Sequence, residues 1–179
     1  MHEITRDFRL EDVWALPAQG RLEEFPRLVE AISTGDPEGA SSGAAAALMR
    51  IRLKLGAVLG LDDPHSGVGE RVSSLRGRLP ADVPAATGGP ASRSLAFREV
   101  YRLQDEWATE IANRTVHAVM HVGWVPLGDG RYRGQLAILV KPNGLAGQAY
   151  MAAIRPFRHV IVYPSLMRRI ERVWSARGD

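Results

Sequence analysis

The sequence contains no cysteine. This excludes disulfides, thiolate zinc sites, iron–sulfur clusters and a cysteine nucleophile, and it favours a cytoplasmic protein. No apolar run reaches the length of about 20 residues that a membrane span needs, so we expect no membrane partner. The chain does not open with a basic stretch followed by an apolar one, and we therefore expect no secretory signal.

Lysine is also scarce: Lys54 and Lys141 are the only two, against 21 arginines. The 179 residues carry a net charge of +3, with 45% hydrophobic and 24% charged residues. That balance is typical of a folded globular chain, and the length favours a single domain over residues 1–179. Basic and acidic residues are well mixed except near the end, so we do not expect nucleic acid to be the main partner.

The first part of the chain combines one strand with helices. Alternating apolar residues predict a strand over residues 7–16, followed by a break at 17–20. Apolar spacings of three and four then predict helices over 22–32 and 42–60 and a third, shorter helix between 68 and 79. Two or three helices are thus inserted after the first strand.

The second part of the chain changes period at residue 96. From there to residue 140 apolar residues recur every second position, which predicts four strands in an antiparallel meander. Gly128-Asp129-Gly130 is the strongest hairpin signal. A long helical segment follows, and Pro156 and Pro164 predict that it is kinked or broken because each lacks an amide donor.

This order predicts an α+β fold. Helices cannot be interleaved between strands joined by hairpins, so we expect them on one face of the sheet. A strongly twisted sheet that curls around the terminal helix should leave a largely apolar cavity, which is a common type of small-molecule site.

Three segments resemble a known superfamily: Asn-Arg-Thr-Val-His at 113–117, Val-Lys-Pro-Asn-Gly at 140–144, and the helical run 147–157. In these the chain is similar to the START-like, or Bet v-allergen-like, helix-grip (SRPBCC) proteins, and most of all to a bacterial family of unknown function among them. That family usually has a histidine directly after the Pro-Phe pair, whereas here Arg158 precedes His159.

The resemblance implies a fold and a class of function. It implies a curved antiparallel sheet around a long C-terminal helix and a hydrophobic ligand, here a secondary metabolite or lipid-like molecule. Some relatives protect antibiotic producers by sequestering an enediyne or by being cleaved in its place, and others are polyketide cyclases or aromatases. We expect binding without a metal or an organic cofactor. In the alternative, a cyclase, Glu99 with Tyr101 or Arg155 would supply acid–base chemistry.

Ten residues are predicted to line the cavity, mostly aromatic or apolar side chains of the strands and the terminal helix. They are Trp14, Glu99, Tyr101, Trp107, Met120, Trp124, Tyr132, Tyr150, Ile154 and Phe157. Aromatic residues at such spacings are also typical of an ordinary core. For self-sacrifice, Gly123 and Gly134 are the candidate cleavage positions, although glycine within a strand usually marks a bulge or a bend.

Asp12 and Glu99 interrupt the apolar sides of their strands. A buried carboxylate needs a partner, and Arg155 on the terminal helix could supply one. Alternatively, a bulge shifts the pattern and leaves the carboxylate in solvent. We favour the solvent position for Asp12, and for Glu99 the two alternatives are equal.

Two further patterns suggest chemistry but are better explained otherwise. The G-x-S-x-G match at residues 39–43 lacks the preceding strand of a nucleophile elbow, so Ser42 is predicted to cap a helix. Asp62, Asp63 and His65 are predicted to form a turn rather than a metal site.

His117 and His121 are four residues apart in a predicted strand. At that spacing they lie about 13 Å apart and cannot share a metal, so we expect both on the solvent side of the sheet. Near the end of the chain, Arg168, Arg169 and Arg172 complement a helix dipole, and nucleic-acid binding is the alternative.

Overall fold

The computed structural model of the chain describes residue 1 and residues 3–33, 67–69, 71–86 and 97–176. The fold is α+β, as predicted. In chain order its elements are β1 (Arg9–Gly20), α1 (Phe25–Ser33), β2 (Arg98–Arg102), β3 (Glu106–Ala112), β4 (Val116–Gly128), β5 (Arg131–Pro142), α2 (Gly144–Phe157) and α3 (Tyr163–Ser175). Two 3-10 turns, Leu22–Glu24 and Leu75–Arg78, and a π-helical segment, Arg158–Val162, complete the described elements.

The strands form one five-stranded sheet in the order β1-β5-β4-β3-β2, with every neighbouring pair antiparallel. The predicted four-strand meander is therefore confirmed, and β1 joins it beside β5. The turn between β4 and β5 has positive φ angles at Gly128, Asp129 and Gly130. Glycine adopts these angles without strain, which explains the hairpin signal in the sequence.

All three helices pack on one face of the sheet, which we call the helix face. Phe25 and Leu28 of α1 and Ile170 of α3 are buried there against Trp124 and Leu136 of the sheet. Burial of α1 residues at spacings of three and four confirms the helix predicted over 22–32.

The opposite face, which we call the second face, is covered as well. Ile4 from the N-terminal segment and Leu75 from the 3-10 turn pack there against Val119 and Leu139. The third helix predicted between residues 68 and 79 is wrong: the described part of this stretch forms only the turn Leu75–Arg78 and an isolated bridge near its start.

The cover on the second face also changes the surroundings of the histidines. His117 is only 5% exposed and contacts the ring of Phe8 at 5.0 Å between centroids. The expectation that it faces solvent was wrong because the N-terminal segment, which carries no strong periodicity, folds back over the sheet.

Strand β1 is longer and less regular than predicted. It continues through Pro17 to Gly20, with register shifts between Leu10 and Asp12 and between Ala15 and Gln19. Because β1 lies at the edge of the sheet, a proline is tolerated within it.

The C-terminal helical segment is unbroken from residue 144 to residue 175. Pro156 lies inside α2, and Pro164 lies in the first turn of α3. Between them the Tyr163 amide donates to the carbonyl of Arg158, five residues earlier. Pro164 cannot donate to the carbonyl four residues before it, so the helix widens here instead of breaking.

Several predictions lie outside the described residues: the helix over 42–60, the motif at 39–43, and the group of Asp62, Asp63 and His65. Within the described ranges, no helix is long and apolar enough to cross a membrane.

Candidate functional site

Five of the predicted cavity residues share one core on the helix face: Trp14, Trp107, Met120, Trp124 and Tyr132. Trp107 and Trp124 are only 1% and 2% exposed. The rings of Trp124 and Tyr132 stack, with centroids 6.4 Å apart. The space beside Trp124, which the sequence predicts to be part of a cavity, is thus occupied by core side chains.

The other predicted residues lie in separate places. Tyr150 and Ile154 of α2 pack beside a smaller core around Met151, and Phe157 is half-buried at the end of α2. Tyr101 belongs to the core of the second face.

Glu99 and Tyr101 do not share a face, because a register shift lies between them. Glu99 pairs with Thr109 of β3, whereas Tyr101 pairs with Ala108, and cross-strand partners share a face. The Glu99 carboxylate accepts a hydrogen bond from Arg102, with Oε1 3.0 Å from Nε. The predicted pairing of Glu99 with Tyr101 or with Arg155 is therefore absent from the described residues.

The two candidate glycines differ in their surroundings. A side chain added to Gly134 would place its Cβ 2.7 Å from Cδ2 of Leu28, so Gly134 allows α1 to lie close to the sheet. The nearest atom to a Cβ on Gly123 would be Cε1 of His121, at 3.5 Å.

A buried polar cluster, which we call the Asp12 cluster, lies where β1 meets the C-terminal helices. The Asp12 side chain is 7% exposed. It accepts a hydrogen bond from the Tyr163 hydroxyl at 2.5 Å. Its two oxygens also lie 3.2 Å from Nη2 of Arg158 and 3.3 Å from Nε2 of His159. Glu11, 3.7 Å from the same guanidinium, is at the edge of the cluster.

The register shift in β1 explains how Asp12 reaches this position. Leu10 pairs with Leu139 on the second face, but after the shift Asp12 pairs with Ile138 on the helix face. The expectation that Asp12 lies in solvent was wrong. The alternative, a buried carboxylate with an arginine partner, is confirmed, but the partner is Arg158 and not the exposed Arg155.

The π-helical segment brings three successive groups to one carboxylate. Arg158 and His159 are adjacent in sequence, and Tyr163 follows after one wide turn. Such π segments are frequent at functional sites. The family that the sequence resembles usually has a histidine directly after the Pro-Phe pair, whereas Arg158 precedes His159 here, and this order was the available signal for the cluster.

The Asp12 cluster contains buried polar atoms that have no hydrogen-bond partner within the described residues. They are Nε1 of Trp14, Nε of Arg158 and Nδ1 of His159. The rings of Trp14, His159 and Tyr163 contact one another, with centroids 4.9 to 5.9 Å apart. The cluster thus combines aromatic surfaces with unused donors and one unused ring nitrogen.

Tyr163 acts as a hydrogen-bond donor in this cluster. Burial and the hydrogen bond to Asp12 raise the pKa of Tyr163 well above its usual value. The hydroxyl therefore remains protonated, and Asp12 is its acceptor.

The second face holds another buried carboxylate, Glu110, which is 0% exposed. It accepts hydrogen bonds from the Ser74 hydroxyl at 2.5 Å, the Leu75 amide at 3.1 Å and Nε2 of His117 at 2.9 Å. Burial works to raise the pKa of Glu110, but the three hydrogen bonds outweigh it and the pKa lies below its usual range. Glu110 thereby holds the Leu75–Arg78 turn against the sheet.

A similar but more exposed group lies nearby. Oε2 of Glu106 accepts hydrogen bonds from Tyr101 at 2.8 Å and from His121 at 3.2 Å. The hydrogen bond from His121 is the largest cause that lowers the pKa of Glu106, to about 2. All of these groups are paired, so this arrangement supports the packing of the second face.

The described residues offer neither a metal site nor an apolar pocket of the predicted kind. Among the described residues, no group of three or more His, Asp or Glu side chains is placed to hold a metal. A depression of about 600 Å³ beside α1 is lined by Glu23, Glu24, Pro26, Arg27 and Glu30. Its lining is mainly charged, so it does not correspond to the predicted apolar site.

The model of the family described as "Protein of unknown function (DUF2867)" matches residues 4–165 of the chain. No curated protein and no solved structure matches the chain.

Proposed function

Because the chain belongs to the DUF2867 family of proteins of unknown function, we propose a function from its geometry: it binds an apolar small molecule through the Asp12 cluster. The observation that carries this proposal is the set of unpartnered buried atoms in that cluster, namely Nε1 of Trp14, Nε of Arg158 and Nδ1 of His159. The ligand has an aromatic or apolar body and at least one acceptor oxygen.

The energetic argument concerns the two N–H donors. A buried donor without a partner costs about 1–3 kcal/mol, and a bound partner is one explanation for such a group in a native structure. A ligand oxygen that accepts from Trp14 or Arg158 recovers part of that cost. The Arg158 and His159 side chains are 12% and 36% exposed, so solvent reaches the cluster most easily at His159.

The fold supports the same proposal. A five-stranded antiparallel sheet with a long C-terminal helix is compatible with the helix-grip architecture. In proteins of that type the ligand lies between the sheet and the helix, which is where the Asp12 cluster is found. An enediyne is one apolar ligand of this class, and self-sacrifice predicts a discrete cut after incubation, detectable as a change in intact mass.

A cyclase or aromatase is the second candidate. The observation that favours it is the contact of a carboxylate, an imidazole and a phenol within one buried cluster. This enzyme would use Asp12, His159 and Tyr163 in place of the predicted Glu99 and Tyr101. Turnover lost in His159→Gln with ligand affinity retained would favour the enzyme, whereas equal loss of both would favour binding alone.

Native mass spectrometry of the protein purified from its own host tests the proposal, because a retained ligand adds directly to the mass. The discriminating variants are Trp14→Phe and Trp107→Phe. Both tryptophans lie on the helix face with a buried, unpartnered Nε1, but only Trp14 contacts His159.

We expect Trp14→Phe to weaken retention about fivefold, since one neutral hydrogen bond contributes about 1 kcal/mol. Trp107→Phe should leave it unchanged. No retained ligand in the wild type, or equal losses in the two variants, would argue against the Asp12 cluster as the binding site.

A further inference from the structure

We propose that the outer surface of α2 is an interface through which two copies of this chain pair, with their α2 helices antiparallel. This inference is independent of the ligand proposed above. It is carried by an apolar row that faces away from the sheet, by the order of residue sizes along that row and by the position of the one charge beside it.

α2 is apolar on its outer surface as well as on its inner one. Its inner surface packs on the sheet through Met151, with Tyr150 and Ile154 beside it. The exposed residues that follow one line along the opposite side are also apolar, and we call them the outer row: Leu145, Ala149, Ala152, Pro156 and Val160. Leu145 is 82% exposed and Val160 is 72% exposed. A surface helix normally carries polar residues on this side, so an apolar outer row indicates a partner.

The spacing of the outer row is that of a helix that packs against another helix. Its first four members are separated by four, three and four residues, as in the contact line of paired helices. In a regular helix the next member would be residue 159. The wide turn of the π segment holds one residue more, so Val160 continues the row while His159 faces Asp12.

The outer row is self-complementary, as an interface between two identical copies must be. When two rows run antiparallel about a point between Ala152 and Ala153, Leu145 of one copy meets Val160 of the other. The larger side chains then fill the two ends of the contact, and alanines at its centre let the two backbones approach closely.

Charge selects the antiparallel arrangement. Arg155 is the only charged residue of α2, and it is exposed beside the outer row. A parallel pair in register would place the two Arg155 side chains opposite each other, which is unfavourable. In the antiparallel pair, each Arg155 lies near residue 150 of the other copy, in a stretch without charge. Gln148 lies seven residues before Arg155 and therefore on the same side of the helix, so it is the polar residue that Arg155 meets across the contact.

A second copy suits the outer row better than a lipid surface does. Helices that lie on membranes carry bulky residues such as Trp, Phe and Leu on their apolar side, whereas the outer row has a single leucine. The row is about 22 Å long at about 1.5 Å per residue. A contact of this length and one helix wide is smaller than a standard interface of about 800 Å² per partner, so we expect a weak dimer that forms at high concentration.

Sedimentation velocity of the full chain at about 1 μM and at about 300 μM tests for such a weak dimer. The mass should rise with concentration from 19.6 kDa toward twice that value. Ala152→Glu places a carboxylate at the centre of the contact and should weaken self-association by about tenfold or more. Ala81→Glu is the matched control, because Ala81 is also exposed but lies two residues before Val83 on the second face, and it should leave self-association unchanged.

Gln148→Glu should change self-association in the opposite direction. Its carboxylate would lie beside Arg155 of the other copy, so we expect self-association to strengthen by up to about fivefold at low salt. A variant that only disturbed the helix would not strengthen it.

Cross-linking tests the register, because the chain has no cysteine of its own. Leu145→Cys and Val160→Cys proteins, mixed under mild oxidation, should form a disulfide between the two different variants. Each variant alone should form far less, because identical positions lie about 22 Å apart along an antiparallel contact and a disulfide requires Cβ atoms about 4 Å apart. If Ala152→Glu does not fold, this comparison decides the question.

A wild type that stays monomeric at every concentration overturns this inference, and binding of that monomer to phosphatidylglycerol vesicles would assign the outer row to a lipid surface instead. A dimer that Ala152→Glu leaves unchanged, or a disulfide that forms equally well between identical variants, overturns it too.

Discussion

Replacing Glu110 tests whether the second face depends on its buried carboxylate. Glu110 is fully buried and receives hydrogen bonds from Ser74, Leu75 and His117. Two substitutions separate charge from hydrogen bonding: Glu110→Gln keeps the shape and removes the charge, whereas Glu110→Ala removes every acceptor.

The structure sets the size of each effect. A glutamine oxygen can accept from the Leu75 amide and from His117, and its NH₂ group can donate to the Ser74 hydroxyl. The loss is then the difference between charged and neutral hydrogen bonds, for which we expect about 1–2 kcal/mol in the free energy of unfolding. Alanine leaves the Leu75 amide and His117 buried without an acceptor, so we expect about 3–5 kcal/mol.

The pH dependence has a definite sign. The pKa of Glu110 in the folded protein is lowered from its ordinary value of 4.5. Its contribution to stability is therefore fully present above that value and is lost as the pH falls through the lowered pKa. The stability difference between wild type and Glu110→Gln should shrink as the pH decreases below 4.5.

Urea unfolding at neutral pH and at several acidic pH values measures both quantities. Glu110→Asp serves as the control, because it keeps the charge and shortens the side chain. A Glu110→Gln protein as stable as wild type at neutral pH, or a difference that does not change with pH, would refute this account of the second face.

Three other predictions concern the remaining contacts. Gly134→Ala should lower the free energy of unfolding by about 1–3 kcal/mol because its Cβ would overlap Leu28, whereas Gly123→Ala should be tolerated. Equal urea midpoints for the two variants would contradict the packing described. Asp12→Ala should lower the free energy of unfolding by about 3 kcal/mol, since Arg158 remains buried without the Asp12 carboxylate. An unchanged melting temperature in thermal unfolding would argue against a buried ion pair. Asp7→Asn removes exposed ion pairs and should lower the free energy of unfolding by less than about 1 kcal/mol. The effect should decrease in high salt because salt screens exposed charges, and an effect independent of salt would contradict this prediction.

The sequence predicted the parts of the fold that have a regular period. Apolar residues at alternate positions of β3 to β5, together with the turn Gly128-Asp129-Gly130, were enough to predict the meander. The register shift between Glu99 and Tyr101 in β2 was not predicted. The cover of the second face could not be predicted in this way. The segment around Leu75 is irregular, and its attachment depends on Glu110, which is distant in sequence.

The candidate site was predicted only in part, for a similar reason. A buried Asp12 with an arginine partner was one of two alternatives and the solvent position was favoured, because the choice depended on a bulge that no local pattern reveals. Arg155 was named as a possible partner only from its place on the terminal helix. In the structure Arg155 is exposed, and Arg158, three residues later at the start of the π segment, contacts Asp12.

The π-helical segment gives chain length an importance there that side-chain identity lacks. Each residue of a regular α-helix advances the direction of the next by about 100°. The wide turn of Arg158–Val162 accommodates one residue more than a turn of α-helix, so deleting the exposed Val160 would return the segment to ordinary pitch and leave α3 facing β1. At its present length, ordinary pitch would instead turn α3 by roughly that angle relative to α2 and point Tyr163 away from β1.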